Sequence, residues 1–278
     1  MNTNKNTYTI IYATVLVLLV AAILTIVSVS LQSKQQMNID NETRQNILTS
    51  VGLVEGVDEA ENKMQFIEDQ YNKYITDSYL VTSEGEIIRD EKVDKNGKSS
   101  AFKLSLKSQY DIMKQANPDV SKLTLPVFVC TNGNDEYQVF PIYGAGLWGP
   151  IWGYIALESD FNTIRGAIFD HKSETPGLGA EIATPWFRNQ FNGKKIFEGN
   201  TFTSIIVQKG GAEPDDPHAV DAITGGTITS RSLQRTIDQW FNYYMPYIQK
   251  QLDEQAAAAS QIDTVNSVKE ENYEEGDL

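Results

Sequence analysis

The sequence predicts an α+β domain held behind a single N-terminal transmembrane helix. Three observations carry that prediction. Residues Tyr8 to Leu31 form a run of 24 without a charge. Short β-rich segments joined by glycine turns fill the middle of the chain. A late segment, Ser230 to Ile248, repeats apolar residues at helical spacing: Leu233, Ile237, Trp240, Tyr244 and Tyr247.

The apolar run comes first in the chain. About 20 apolar residues span a bilayer as a helix, so this run is long enough with some tilt. Lipid offers the backbone no hydrogen-bond partner, which makes helix obligatory there. The apolar core exceeds the roughly 7–15 residues of a cleaved signal, and no A-x-A site follows, so the anchor is expected to stay. Lys5 lies before it, with Lys34 and Arg44 after it. The short N-terminal side is expected in the cytoplasm and the rest exported.

The expected domains are an anchor at 1–36, an exported α+β domain at 37–250 and an acidic tail at 251–278. Within the domain, Met64, Ile67, Tyr71 and Tyr74 make Glu61 to Tyr74 an amphipathic helix, with Phe66 and Ile75 able to widen its stripe. Ser83 to Glu86 reads as a turn, and Glu86 to Ile88 as the start of a strand. Asp94 to Lys98 is a polar loop. Lys122 to Cys130 is β-rich, and Asn132 to Asp135 turns it back into Tyr137 to Tyr143. Ile151 to Leu157 reads as a buried strand, Phe161 to Phe169 as a short helix, and Thr203 to Gln208 as a strand.

The chain has 23 Lys+Arg against 37 Asp+Glu, a net charge of −14. That balance argues against nucleic acid, which needs a basic face. The tail from Gln251 holds eight acids against Lys269, which is −7 of the total. It is expected to be a frayed helix passing into disorder. One Cys excludes an intramolecular disulfide and a Cys-ligated iron–sulfur cluster built by this chain alone. Two His, at 171 and 218, make a His-rich metal site unexpected. No G-x-G-x-x-G follows a strand and opens a helix, so no dinucleotide fingerprint is present.

Three segments could carry chemistry. Asp221 to Ser230 is a glycine turn (Gly225, Gly226) followed by hydroxyl residues that can cap the late helix. The free N–H groups and positive dipole end of a helix start suit a phosphate. His171 to Ile182 contains Pro-Gly and Leu-Gly, a bent loop that exposes main-chain amides and Thr175. Gly144 to Gly153 packs four Gly and two Trp into ten residues, and flat aromatics beside glycines can stack on a planar ring.

In this order the three segments resemble the FMN-binding domain found in the C subunit of Na⁺-translocating NADH:quinone reductases, and in the G subunit of the related Rnf complexes. Asp221, Thr224, Gly225, Thr227, Thr229 and Ser230 match the family's flavin-attachment motif. Glu174 to Gly179 matches a family loop, and Gly146 to Gly149 matches Gly-Leu-Trp-Gly. The family usually has Ala where this chain has Gly226. The missing methyl loosens a turn by about 0.5–1 kcal/mol in a regular element without removing the acceptor hydroxyl.

The resemblance implies an FMN-binding α+β domain with FMN joined to Thr227 as a phosphoester. Glu174, Thr175, Leu178 and Gly179 match positions that contact the flavin. Trp148 is placed beside the ring, with Lys209 near it. Asp221, Thr224, Gly225 and Gly226 are further cofactor-binding positions that the resemblance implies, and Asp221 belongs to the motif recognised by a flavin transferase that uses FAD and Mg²⁺. The implied role is one-electron relay towards the FMN of the B subunit, in a complex that oxidises NADH, reduces ubiquinone and exports Na⁺. The chain alone would be an electron carrier without catalytic residues or a metal site. Its partners would be subunits B, D and E, the transferase and the membrane. The location implied is a bacterial inner membrane, single-pass, with the soluble domain on the periplasmic side. The alternatives are an Rnf-type G subunit or an anchored ligand-binding module without redox activity. The helical and polar region from Glu55 to Leu123 favours the C subunit.

Overall fold

A computed structural model describes residues 6–90 and 98–274. The chain forms two compact units, Met1–Gln45 and Asn46–Leu278. The first consists of helix α1 (Asn6–Ser50), whose last turn belongs to the second unit. From Ile10 to Leu31 the apolar side chains of α1 are exposed. The hydroxyls of Thr14 and Thr25 donate to the carbonyls of Ile10 and Ala21, at 2.9 and 2.7 Å. These two threonine hydroxyls therefore carry no unpaired donor into the apolar stretch. Among the described residues α1 is the one helix long and apolar enough to cross a membrane.

The second unit begins with α2 (Lys63–Tyr74), β1 (Ile75–Thr82) and β2 (Ile87–Ile88), then α3 (Ser100–Lys103) and α4 (Leu106–Met113). The strands β3 (Thr124–Asn132), β4 (Asp135–Ala145), β5 (Pro150–Glu158) and β6 (Ile164–His171) follow. After α5 (Pro185–Arg188) come β7 (Phe197–Glu198), β8 (Thr201–Phe202), β9 (Ile206–Gln208) and β10 (Ala219–Asp221), and then α6 (Thr227–Glu274). The first six strands make one antiparallel sheet in the order β2-β1-β3-β4-β5-β6. β9 and β10 form a separate parallel pair that leads into α6.

Strand alternation explains how the sheet is covered on both faces. Leu125, Val127, Val129, Phe140, Ile142, Ile151 and Ile155 point to one side, where they join Leu233, Ile237, Trp240, Phe241, Tyr244 and Tyr247 of α6. Phe128, Cys130, Tyr137, Val139, Tyr154 and Ala156 point to the other, where they meet Ile47, Val51 and Ala101. Tyr244 reaches through to the sheet backbone, its hydroxyl within 3.0 Å of the carbonyls of both Pro126 and Pro141.

Several expectations need correction. Phe161 to Phe169 is no helix: an Asp160-capped turn leads into β6, whose residues pair with β5. Ile75 does not widen the stripe of α2 but opens β1, a strand not expected from the sequence. The strand expected from Thr203 starts at Ile206. α6 begins at Thr227 and continues beyond residue 250 to Glu274, through the expected tail; residues 275–278 lie outside the described residues. So do residues 94–97 of the expected polar loop.

The core also sets a pH response. Burial pushes the Cys130 thiol from 9.0 up to about 12. Burial raises the Tyr244 and Tyr247 phenols as well, and at Tyr79 it outweighs the hydrogen bond shared with Tyr247 and the nearby Arg89. The folded chain keeps these protons while the unfolded chain releases them, so the unfolded state binds fewer protons at high pH. Their contribution is therefore intact below about pH 9 and is lost as pH rises from about 9 to 12. The urea midpoint should fall between about pH 8 and 11, and a flat or rising midpoint would contradict this account. A thiol reagent at about pH 8 should label Cys130 only in denaturant.

Candidate functional site

The site is built where α6 begins. The amide of Gly226 donates to the Ile223 carbonyl at 3.0 Å, closing the turn, and Ser230 N donates to the Gly226 carbonyl at 2.9 Å, opening the helix. The N–H groups of Thr227, Ile228 and Thr229 are then the orphan donors of a helix start. Gly225 has φ +78°, a conformation that L side chains rarely adopt, and an added Cβ would come 2.6 Å from Leu178 Cδ2. Its glycine is thus required both by the turn and by the loop docked on it.

That loop follows β6. The amides of Leu178 and Ala180 both donate to the Thr175 carbonyl at 3.1 Å, which curls the loop so that Leu178 lies against Gly225. A second turn joins β4 to β5, closed by a 2.7 Å bond from Gly146 N to the Gly149 carbonyl. Trp148 stands out from it, 66% exposed. Ser173 donates its hydroxyl to the Trp148 carbonyl at 2.9 Å, tying this turn to the loop.

The three segments enclose a pocket of about 280 Å³, near the lower end of the roughly 300–1,000 Å³ usual for ligand sites. Trp148, Glu174, Thr175, Leu178, Gly179, Gly225, Gly226 and Thr227 line it, and so do Leu147, Ile228 and Thr229. Thus eight of the expected site residues converge. Lys209, Asp221 and Thr224 are not in the lining. Lys209 is exposed just after β9. Asp221 accepts the Ala212 amide at 2.7 Å and donates its own N–H to Gln190 Oε1 at 2.8 Å, which closes the loop before β10. Thr224 is exposed on the turn.

The four hydroxyls of the 224–230 segment differ in what holds them. Ser230 is fully buried, and its hydroxyl oxygen accepts the Ile223 amide at 3.1 Å. Thr229, 1% exposed, donates to Glu174 Oε2 at 2.6 Å. Thr224 lies outside the lining. Thr227 lines the pocket, and its hydroxyl makes no hydrogen bond among the described residues. The pocket's chemistry follows: a helix start with unpaired amides, two hydroxyls unengaged among the described residues (Thr227 on the helix start and Thr175 on the loop) and an apolar rim of Leu147, Trp148, Leu178 and Ile228. Among the described residues no group of three or more His, Cys, Asp or Glu could hold a metal ion.

Leu147, Ile228 and Thr229 were not expected as lining residues. Leu147 and Ile228 adjoin expected ones, and position alone could have nominated them. Thr229 could not be assigned its role, because its partner lies 55 residues away.

Fold and pocket together define a domain of the FMN-binding class, and residues 146–242 match the family described as FMN-binding domain. The chain is 31% identical over 224 residues to the C subunit of the Na⁺-translocating NADH-quinone reductase of Vibrio anguillarum, covering 80% of this chain and 85% of that one. The crystal structure of the corresponding C subunit from Parabacteroides distasonis is 36% identical with a TM-score of 0.64, covering 78% of this chain and 96% of that one. NqrC of Shewanella oneidensis is 26% identical with a TM-score of 0.58, covering 76% and 97%. The chain belongs to the family of Na⁺-translocating NADH-quinone reductase C subunits.

Proposed function

We propose that this chain carries FMN as a phosphoester on Thr227 and relays single electrons within a Na⁺-translocating NADH:quinone reductase, towards the FMN of the B subunit. The observation that carries the attachment site is the state of the hydroxyls at the start of α6: of the two there that line the pocket, Thr227 and Thr229, only Thr227's is not held by another group among the described residues, and the third lining hydroxyl, that of Thr175, belongs to the loop after β6 and not to the helix start. The residues fit the cofactor. Amides at the start of α6 suit its phosphate, and the exposed face of Trp148 suits a planar ring. Bound there, the flavin supplies the one-electron chemistry.

The chain's own residues provide attachment and orientation. Thr227 Oγ would displace AMP from FAD on a separate flavin transferase that uses Mg²⁺. One P–O bond forms as the bond to AMP breaks, and the hydroxyl proton leaves. Leu178 and Trp148 would flank the product, and Lys209 would approach it from outside the pocket lining. Asp221 would serve transferase recognition, and Thr224, Gly225 and Gly226 would form the turn that presents Thr227 to the cofactor. α1 would hold the domain on the periplasmic side of the inner membrane, beside subunits B, D and E. Names of relatives that specify the C subunit favour this reading over an Rnf-type G subunit.

The test is expression with and without a flavin transferase, followed by a denaturing gel under ultraviolet light. A fluorescent band at the chain's mass is expected only with the transferase. Its absence there would sink the covalent reading.

A further inference from the structure

We propose that Glu174 is a positioning residue for flavin attachment, clamping the turn at Trp148 onto the first turn of α6. This rests on the reading of Thr227 as the attachment point. Glu174 is 4% exposed, and both its carboxylate oxygens are engaged by the protein. Oε1 accepts the Trp148 amide at 2.8 Å, and Oε2 accepts the Thr229 hydroxyl at 2.6 Å. Its own amide donates to His171 Nδ1 at 3.2 Å, so the backbone beneath the carboxylate is held too.

The socket leaves no slack. A Cβ on Gly146 would lie 2.5 Å from Oε1, and one on Gly179 would lie 2.5 Å from Oε2. Three segments far apart in sequence therefore meet at one carboxylate. Its effect on attachment runs through Thr229. Thr229 is two residues after Thr227 in the same helical turn, and helix starts fray unless held. Fixing Thr229 fixes where the Thr227 hydroxyl stands, and attachment rates are steep in such placement. Each carboxylate oxygen thus already holds one protein donor, one from the turn at Trp148 and one from α6.

The full-length chain, co-incubated with flavin transferase, FAD and Mg²⁺, allows the initial rate of in-gel fluorescence to be compared across variants, with far-ultraviolet circular dichroism tracking the fold. Glu174→Ala should slow attachment at least about tenfold. Glu174→Gln should stay within about threefold of wild type, because its carbonyl can accept from Trp148 and its amide can donate to Thr229. That rescue separates a clamp from a charge that the flavin needs. Glu174→Ala at the wild-type rate, or Glu174→Gln falling as far as Ala, overturns the proposal. If Glu174→Ala does not fold, Thr229→Val decides: it keeps the shape and deletes the donor, and attachment at the wild-type rate overturns the clamp. A wild-type chain that takes no flavin overturns the attachment reading, and the clamp with it; a competent wild type with indifferent variants overturns the clamp alone.

Discussion

Thr227→Ala should give a folded chain with no flavin band, even with the transferase and FAD in excess. The other hydroxyls of the 224–230 segment cannot substitute. Thr229 is buried and bonded to Glu174, Ser230 is buried and bonded to Ile223, and Thr224 lies outside the pocket. The loss should be specific to attachment. Gly226, not Thr227, supplies the carbonyl that opens α6, and Ala is the better helix former, so stability should change by no more than about 0.5 kcal/mol. Thr227→Ser keeps the nucleophile and should keep a weaker band, since Ser has more rotamer freedom at the acceptor position. A full band from Thr227→Ala would move the attachment elsewhere and remove the observation on which the function rests.

The residue at 226 bears on the same chemistry. A Cβ at Gly226 would come 2.9 Å from Ile223 Cγ2 and 3.2 Å from the Leu178 carbonyl carbon. The family's usual Ala therefore does not fit here without movement of Ile223, which is 4% exposed in the core. Gly226 makes room for a β-branched neighbour, a contact that the motif alone cannot reveal.

The parts of the fold that were legible are those with local causes. The hairpin at Gly133, the amphipathic α2 and the face of α6 each declare themselves through turn residues or periodicity. β6 did not. Phe161, Ile164 and Ile168 fall at spacings of 3 and 4, which imitates a helix, but pairing with β5 decided the conformation. β1 was hidden because it follows α2 without a break, so its apolar residues read as an extension of the helix. At the site, residue identities were legible from motif order, because glycines and hydroxyls are demanded locally by a turn and a helix start. The pairings were not. Glu174 to Thr229 and Glu174 to Trp148 join residues 55 and 26 positions apart, and only the packed sheet brings them together.

Trp240→Ala should be the most damaging core substitution. Its side chain is fully buried between α6 and the sheet, and it is among the largest fully buried side chains. Truncating a buried Trp costs about 3–5 kcal/mol in lost burial and residual cavity. A second loss is polar. Trp240 Nε1–H donates to the Tyr143 carbonyl at 2.6 Å, and an acceptor left without its donor adds roughly 1–3 kcal/mol where water cannot replace it. The two overlap, so about 5 kcal/mol is expected in total, a large share of the roughly 5–15 kcal/mol that holds a typical domain together. Trp240→Phe separates the contributions: it keeps most of the apolar volume and removes the donor, and should lose about 2 kcal/mol. The damage should also reach the site. Tyr143 lies three residues before Gly146, where the turn held by Glu174 begins, so loosening β4 there releases the turn. Urea unfolding of the detergent-solubilised full chain, followed by near-ultraviolet circular dichroism, checks the order Ala below Phe below wild type. A Trp240→Ala chain within about 1 kcal/mol of wild type would mean that α6 is not held on the sheet by this contact.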